Sequence, residues 1–277
     1  MEQITKLVII AVGFCVGVGL RDHKRLITVF ADVVFKWLLP YVIIVEVSSH
    51  SLQNWWFMAF GSGFVLILYG IARLIRWDRH KAALLSTAEG GTLGFVLYAA
   101  IGTAPLSAFF LIDMLGNGFV LFSLIYWLIG DKFKLLDFIH NRLVIGMCIG
   151  VALNLLGLRV LDVEILASLE PTLLIILAGL ICTVVGSKMR FSTSKEIFFS
   201  GYYLGFWVIR IIGVALCLLL QAPLALTVLF VLSPSFLLPI VYQEGLQKKE
   251  EAYASNFIAA CLPVTLICAI LLYIISA

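Results

Sequence analysis

Apolar runs of about twenty residues recur from one end of this chain to the other, and no other feature limits its fold as tightly. Twenty residues of α-helix rise about 30 Å, the depth of a bilayer's hydrocarbon core. Charge is correspondingly scarce. Asp, Glu, Lys and Arg make up 13% of the 277 residues, and mean hydropathy is +1.11. A soluble domain carries roughly a quarter charged residues. The chain therefore reads as an all-α integral membrane protein, with no stretch polar and long enough to form a separate soluble domain. The first run, "KLVIIAVGFCVGVGL", has the size of a signal-peptide core. No small-x-small cleavage site precedes "RDHKR" and a similar segment recurs later, so it is read as a retained helix.

The hydrophobic pattern predicts ten transmembrane helices, at 4–20, 27–47, 54–74, 82–101, 105–129, 142–158, 164–186, 196–220, 223–242 and 253–275. Lys and Arg divide unevenly between their connections. One side holds Arg21, Lys24, Arg25, Arg73, Arg76, Arg79, Lys81, Lys132, Lys134, Arg142, Lys188, Arg190, Lys195, Lys248 and Lys249, and the other only Lys6 and Arg159. Fifteen against two puts the basic loops in the cytoplasm of a cell (inner) membrane and both termini outside. Five spans on each side of a cytoplasmic link make the halves inverted repeats: 1–129, a link at 130–141, and 142–277. Local echoes agree. "GFCVG" at 13–17 and "GMCIG" at 146–150 both place glycines at i and i+4, where helices can approach closely. Asp113 and Asn256 fall at similar places when Gly102 is aligned with Gly245.

The fourth and ninth spans are interrupted. "STAEGGTLGFVLY" (86–98) sets Glu89 before Gly90 and Gly91, and "LTVLFVLSPSFLLPIVYQ" sets Pro234 between Ser233 and Ser235 with Pro239 beyond. Proline removes a helical N–H, and glycine weakens a helix by about 1 kcal/mol relative to alanine. An unwound backbone cannot face lipid, so matching breaks in two halves point to a cavity and a binding site.

In that order along the chain, a family resemblance becomes visible. "AEGGTLGF" stands where the auxin efflux carrier family, of the bile-acid/sodium symporter superfamily, has Asn-x-Gly-x-x-Gly-x-Pro in a broken fourth helix. "LPYVIIVEVSS", "LIDMLGN", "LIILAGLICT", "VIRIIGVALC" and "SPSFLLP" resemble its second, fifth, seventh, eighth and ninth helices. The chain resembles a divergent, prokaryotic-type member across its whole length. The resemblance implies ten spans with both termini outside, broken crossing helices four and nine, a scaffold of helices one, two, six and seven, and a mobile remainder. Two departures matter: Glu89 replaces the family's Asn and Val96 its Pro. The first puts a titratable group where the family has a neutral amide.

Charges at membrane depth cost at least ~2.5 kcal/mol each and need a reason. Asp113 lies about 12 Å from the outer end of its span, with Asn117 one turn on; Arg210 lies about 20 Å from the inner end of its own. Asp113 and Arg210 are thus expected at comparable depth, able to pair, or Arg210 to attract an anion while Glu89 or Asp113 handles a coupling proton. Asp32 and Lys36 read as an i, i+4 salt bridge; Glu46, His50, Asn154, Glu164 and Glu170 as interfacial; Trp55, Trp56, Trp77 and Trp127 as an aromatic belt. The six cysteines form no Cys-x-x-Cys pair and read as packing. The four histidines have no second ligand at metal spacing, and no metal or cofactor is implied.

The expectation is a secondary active transporter for a small organic anion such as a carboxylate, working by elevator-type alternating access and coupled to a proton. Its site is expected at Glu89, Gly90, Gly91, Asp113, Asn117, Arg210, Ser233, Pro234, Ser235 and Asn256. Sodium coupling stays open, because Ser, Asn and carboxylate oxygens also bind a hard cation. A non-transporting membrane receptor using the same pocket is a second reading; its mark would be a signalling domain, and the chain ends at "YIISA". An intramembrane enzyme is disfavoured by the absence of His-Glu-x-x-His, a Gly-x-Ser-x-Gly elbow or a catalytic Asp pair. The expected partners are the substrate, the coupling ion and the lipid bilayer. A homodimer through the glycine faces is a lesser extra, and nothing resembles a basic nucleic-acid patch.

Overall fold

A computed structural model of the chain describes residues 2–49, 55–101, 106–118, 120, 142–188, 195–235, 238 and 248–276. Every regular element among them is helical. In chain order these are α1 (Glu2–Leu20), α2 (Lys24–Val33), α3 (Leu39–Ser49), α4 (Phe57–Leu74), α5 (Arg79–Ser86), α6 (Phe95–Ile101) and α7 (Leu106–Phe110). There follow α8 (Arg142–Leu155), α9 (Glu164–Lys188), α10 (Lys195–Phe198), α11 (Gly201–Leu219), α12 (Leu224–Val231) and α13 (Lys248–Ser276). Wider, π-helical turns fill Val34–Leu38, Gly90–Gly94 and Leu111–Gly118.

Among the described residues, five stretches are long and apolar enough to cross a membrane: Arg25–Ser49, Phe57–Leu74, Glu164–Val184, Gly201–Leu219 and Lys249–Leu272. Their outward faces carry large apolar side chains, such as Leu74 at 83% and Leu219 at 78% exposure. In water such a face would be costly, whereas lipid accepts it. These features mark a helical membrane protein. The expected link at 130–141 lies outside the described residues, as do His50, Gly102, Trp127, Lys132, Lys134, His140, Arg190, Pro239 and Gly245.

The chain forms two compact units. The first gathers Met1–Trp55, Tyr98–Phe110 and Lys134–Met189; the second gathers Trp56–Leu97, Leu111–Phe133 and Arg190–Ala277. Both therefore draw on both halves of the sequence.

The first unit is built on close backbone approach. A Cβ on Gly13 would lie 2.8 Å from the Gly179 carbonyl oxygen, and one on Gly17 would overlap the Thr183 carbonyl, so α1 lies directly along α9. Gly146 and Gly150 seat α8 on α3, where added Cβ atoms would lie 3.0 Å from the Pro40 carbonyl oxygen and 2.9 Å from the Val47 side chain. Both glycine pairs are scaffold packing, as their spacing suggested. Cys15 and Cys148 sit two residues from both members of their pairs, about 200° around the helix, and are exposed rather than packed in the core. Asn154 donates from Nδ2 to the carbonyls of Val47 and Ser48 (3.0 and 2.9 Å) across the α8–α3 seam. Glu46, also on α3, is buried to 3% exposure, correcting the expectation of a solvated interfacial side chain. The Asp32–Lys36 salt bridge forms as expected, at 2.7 Å on an exposed face.

In the second unit, local caps start two helices. Asp78 accepts from the N–H groups of His80 (3.0 Å) and Lys81 (2.9 Å) to begin α5, and Ser200 accepts from the Tyr203 N–H (3.1 Å) to begin α11. The two starts are tied together: the Tyr202 hydroxyl donates to the Lys81 carbonyl at 2.8 Å, and its ring meets Trp77 edge-on.

Candidate functional site

The second unit contains two helices that stop in the middle of an apolar run. α5 ends at Ser86, Thr87 is extended (φ −101°, ψ 151°), and the wide turn resumes only at Gly90. α12 ends at Val231, Leu232 is extended (φ −71°, ψ 150°), and Ser233, Pro234 and Ser235 have no regular structure. Each end leaves backbone groups without intrahelical partners. The two breaks meet and supply partners for one another. The Glu89 N–H donates to the Ser233 carbonyl at 2.9 Å, and the Ser235 N–H donates to Thr87 Oγ1 at 3.2 Å. Glu89, Gly90, Ser233, Pro234 and Ser235 are all buried there. The paired backbones need no water and no lipid, which is how an unwound segment survives inside a membrane protein.

Arg210, at the middle of α11, is buried completely beside this crossing. One terminal nitrogen donates to the Leu229 carbonyl at 2.7 Å. The other donates to the carbonyls of Leu85, at 2.8 Å, and Thr87. The rings of Phe64 and Phe206 lie 4.9 and 5.1 Å from the guanidinium carbon. The expected pairing of Arg210 with Asp113 is not formed. The cation instead binds the carbonyl ends of the two stopped helices, which carry partial negative charge of their own.

Asp113 stands in the wide turn Leu111–Gly118 and accepts from Asn117 Nδ2 at 2.8 Å, across one turn as their spacing predicted. Both residues are nearly fully buried. The carboxylate packs directly onto Gly90, where any Cβ would overlap it. Glu89 lies within electrostatic range of it. The turn itself is seated on α4, where Gly61 and Gly116 allow backbone contact and the Ser62 hydroxyl donates to the Gly116 carbonyl at 3.2 Å. Two buried oxygens near these groups lack hydrogen-bond partners: Asn117 Oδ1 and Ser233 Oγ.

The structure thus gathers Glu89, Gly90, Asp113, Asn117, Arg210, Ser233 and Ser235 around one crossing, with Gly91 in the turn that leaves it and Pro234 in the segment that enters it. Asn256 is different: it is half-buried on α13 and makes no hydrogen bond to the others. Sequence reasoning missed Thr87, which contributes its carbonyl to Arg210 and its hydroxyl to Ser235. A hydroxyl immediately after an eight-residue helix was the available signal. It also missed Phe64 and Phe206, whose rings are indistinguishable in sequence from ordinary lipid-facing aromatics. The six cysteines are all free, and no group of three or more His, Cys, Asp or Glu suited to a metal occurs among the described residues. No protein-family model and no curated protein sequence matches this chain.

Proposed function

We propose that this chain is a secondary active transporter of the auxin efflux carrier type. It moves a small organic anion, such as a carboxylate, across the cell membrane by elevator-type alternating access with proton coupling. In this reading the chain crosses the membrane ten times, as two inverted five-helix repeats with both termini outside. The observation that carries the reading is the meeting of two interrupted helices, one from each half of the chain, joined by the Glu89 N–H to Ser233 carbonyl hydrogen bond. A lone kink serves packing, whereas paired breaks at one point create a polar centre inside an apolar chain. Further support is the division into two compact units, each drawing helices from both halves, as a carrier with a fixed and a moving part requires.

Glu89 and Asp113 are then the proton-handling groups. The turn starting at Gly90, together with Ser233 and Ser235, offers backbone N–H and hydroxyl groups to an anion. Asn256 belongs to the rim of the path. A sodium-coupled variant has an observation of its own: the unpartnered, buried Asn117 Oδ1 and Ser233 Oγ beside a carboxylate form an oxygen-rich setting for a hard cation.

The test is uptake of radiolabelled carboxylates into proteoliposomes with an imposed pH gradient, for the parent and Glu89→Gln. Gradient-driven uptake that disappears in Glu89→Gln supports the proposal. Uptake driven only by a sodium gradient selects the sodium variant. Absence of uptake for the whole panel under both gradients removes the anion-carrier reading.

A further inference from the structure

We infer that Arg210 is the positioning residue of the crossing: one guanidinium closes the carbonyl ends of both stopped helices, and so holds the two broken backbones in register. The inference concerns how the site is built and does not require the carrier reading.

The carbonyl accounting at α5 is specific. Near its end, Ala83 accepts from Ser86 Oγ (3.2 Å), Leu84 from Thr87 Oγ1 (3.5 Å), and Leu85 and Thr87 from Arg210. At α12 the same guanidinium reaches Leu229 at 2.7 Å. Three carbonyls from two helices converge on one planar cation, and only a fork of fixed N–H directions addresses them together. A lysine ammonium keeps the charge but is a point donor on a flexible stem. Because two helix C-termini supply partial negative charge and two aromatic rings cover the cation's faces, Arg210 needs no carboxylate beside it. Three of the guanidinium's five N–H groups are thus committed to backbone carbonyls, while its Nε is buried with no hydrogen-bond partner among the described residues.

Two amides report directly on this arrangement: Glu89 N–H, bonded to Ser233, and Ser235 N–H, bonded to Thr87. Neither touches Arg210, so both respond to it only through the backbone it holds. Amide hydrogen exchange of the full chain in lipid nanodiscs would be measured for the parent, Arg210→Lys and Arg210→Ala, the last with and without methylguanidine. In Arg210→Ala both amides are expected to exchange at least about tenfold faster, while α1 and α9 keep the parent's rates. Methylguanidine restores protection at both breaks together, and Arg210→Lys fails to match the parent at one break or both. Parent-like exchange at either amide in Arg210→Ala, or at both in Arg210→Lys, overturns the inference. So does loss of protection that spreads through α1 and α9, which is a general folding role. Slowing of these amides by malonate in the parent but not in Arg210→Lys assigns the guanidinium to an anion and overturns it as well. If Arg210→Ala does not fold, Arg210→Lys decides the question by the same two amides.

Discussion

Gly17 and Gly90 are both buried glycines whose missing side chain admits a close neighbour, yet the neighbours differ in kind. At Gly17 a Cβ would overlap the Thr183 carbonyl and lie 2.9 Å from the Ser187 nitrogen, so the obstacle is the backbone of α9. At Gly90 the obstacle is the carboxylate of Asp113, the far end of a side chain. Backbone in a packed helix cannot yield without parting two helices, whereas a side chain can swing away. The first glycine therefore protects the fold, and the second protects the position of one buried carboxylate. The same contrast separates the two units: continuous helices in close contact at the α1–α9 and α8–α3 seams, against interrupted helices stitched by side chains around Arg210.

The largest expected effect falls on the second region. Gly90→Ala should displace Asp113 and break its hydrogen bond to Asn117, cutting carboxylate uptake by more than about tenfold at a stability cost of about 1–2 kcal/mol. Uptake in proteoliposomes and thermal unfolding of the same preparation separate the two effects. Equal losses of both would erase the contrast. Gly17→Ala should do the reverse, costing about 3 kcal/mol of stability through overpacking against backbone. The fraction that remains folded should transport at the parent's rate per molecule, and a specific loss of turnover in it would place the α1–α9 seam in the mechanism.

How much of this was legible in the sequence follows the same line. Apolar runs marked the chain as helical and membrane-crossing, and glycine spacing marked close helix packing, because both are local patterns; which helices meet at the two seams is not a local property. The breaks were legible at Glu89-Gly90-Gly91 and Ser233-Pro234-Ser235, but not because proline alone dictates a break. Pro171 and Pro263 lie inside α9 and α13, which continue through them. Neighbouring structure decides whether a freed carbonyl finds a partner, and sequence does not carry that information. Arg210 shows the limit most clearly. Its depth was readable from helical rise, and a carboxylate seemed its natural partner by charge. The carbonyls that it binds belong to Leu85, Thr87 and Leu229, residues whose side chains give no hint of the role.

A smaller effect tests the seams of the first unit without touching a glycine. Asn154→Leu removes both hydrogen bonds to the Val47 and Ser48 carbonyls and leaves those acceptors under an apolar side chain in a part-buried contact. A loss of about 2 kcal/mol in thermal or denaturant unfolding is expected, with no change in uptake by the folded fraction. A loss under about 0.5 kcal/mol would mean that backbone proximity alone holds α8 against α3.

The smallest effect lies at the start of α5, outside the apolar core, and tests whether the interrupted helix depends on its distant cap. Partial burial pushes the Asp78 carboxyl up, but the Lys81 N–H and ammonium and the His80 N–H outweigh it and leave it below its ordinary 3.8. A carboxyl depressed on folding contributes stability that is complete above its ordinary value and is lost as pH falls through the folded value. Asp78→Ala should therefore cost about 1 kcal/mol near pH 7, a shift of a few degrees in Tm, and the gap to the parent should close below about pH 4. Asp78→Asn keeps a capping oxygen without the charge, so at pH 7 its stability should fall between the parent's and that of Asp78→Ala, and it should lose the acid-side decline. If Asn behaves instead like Ala, attraction to the half-exposed Lys81 ammonium, 3.2 Å away, is what starts the helix, and the cap geometry is secondary.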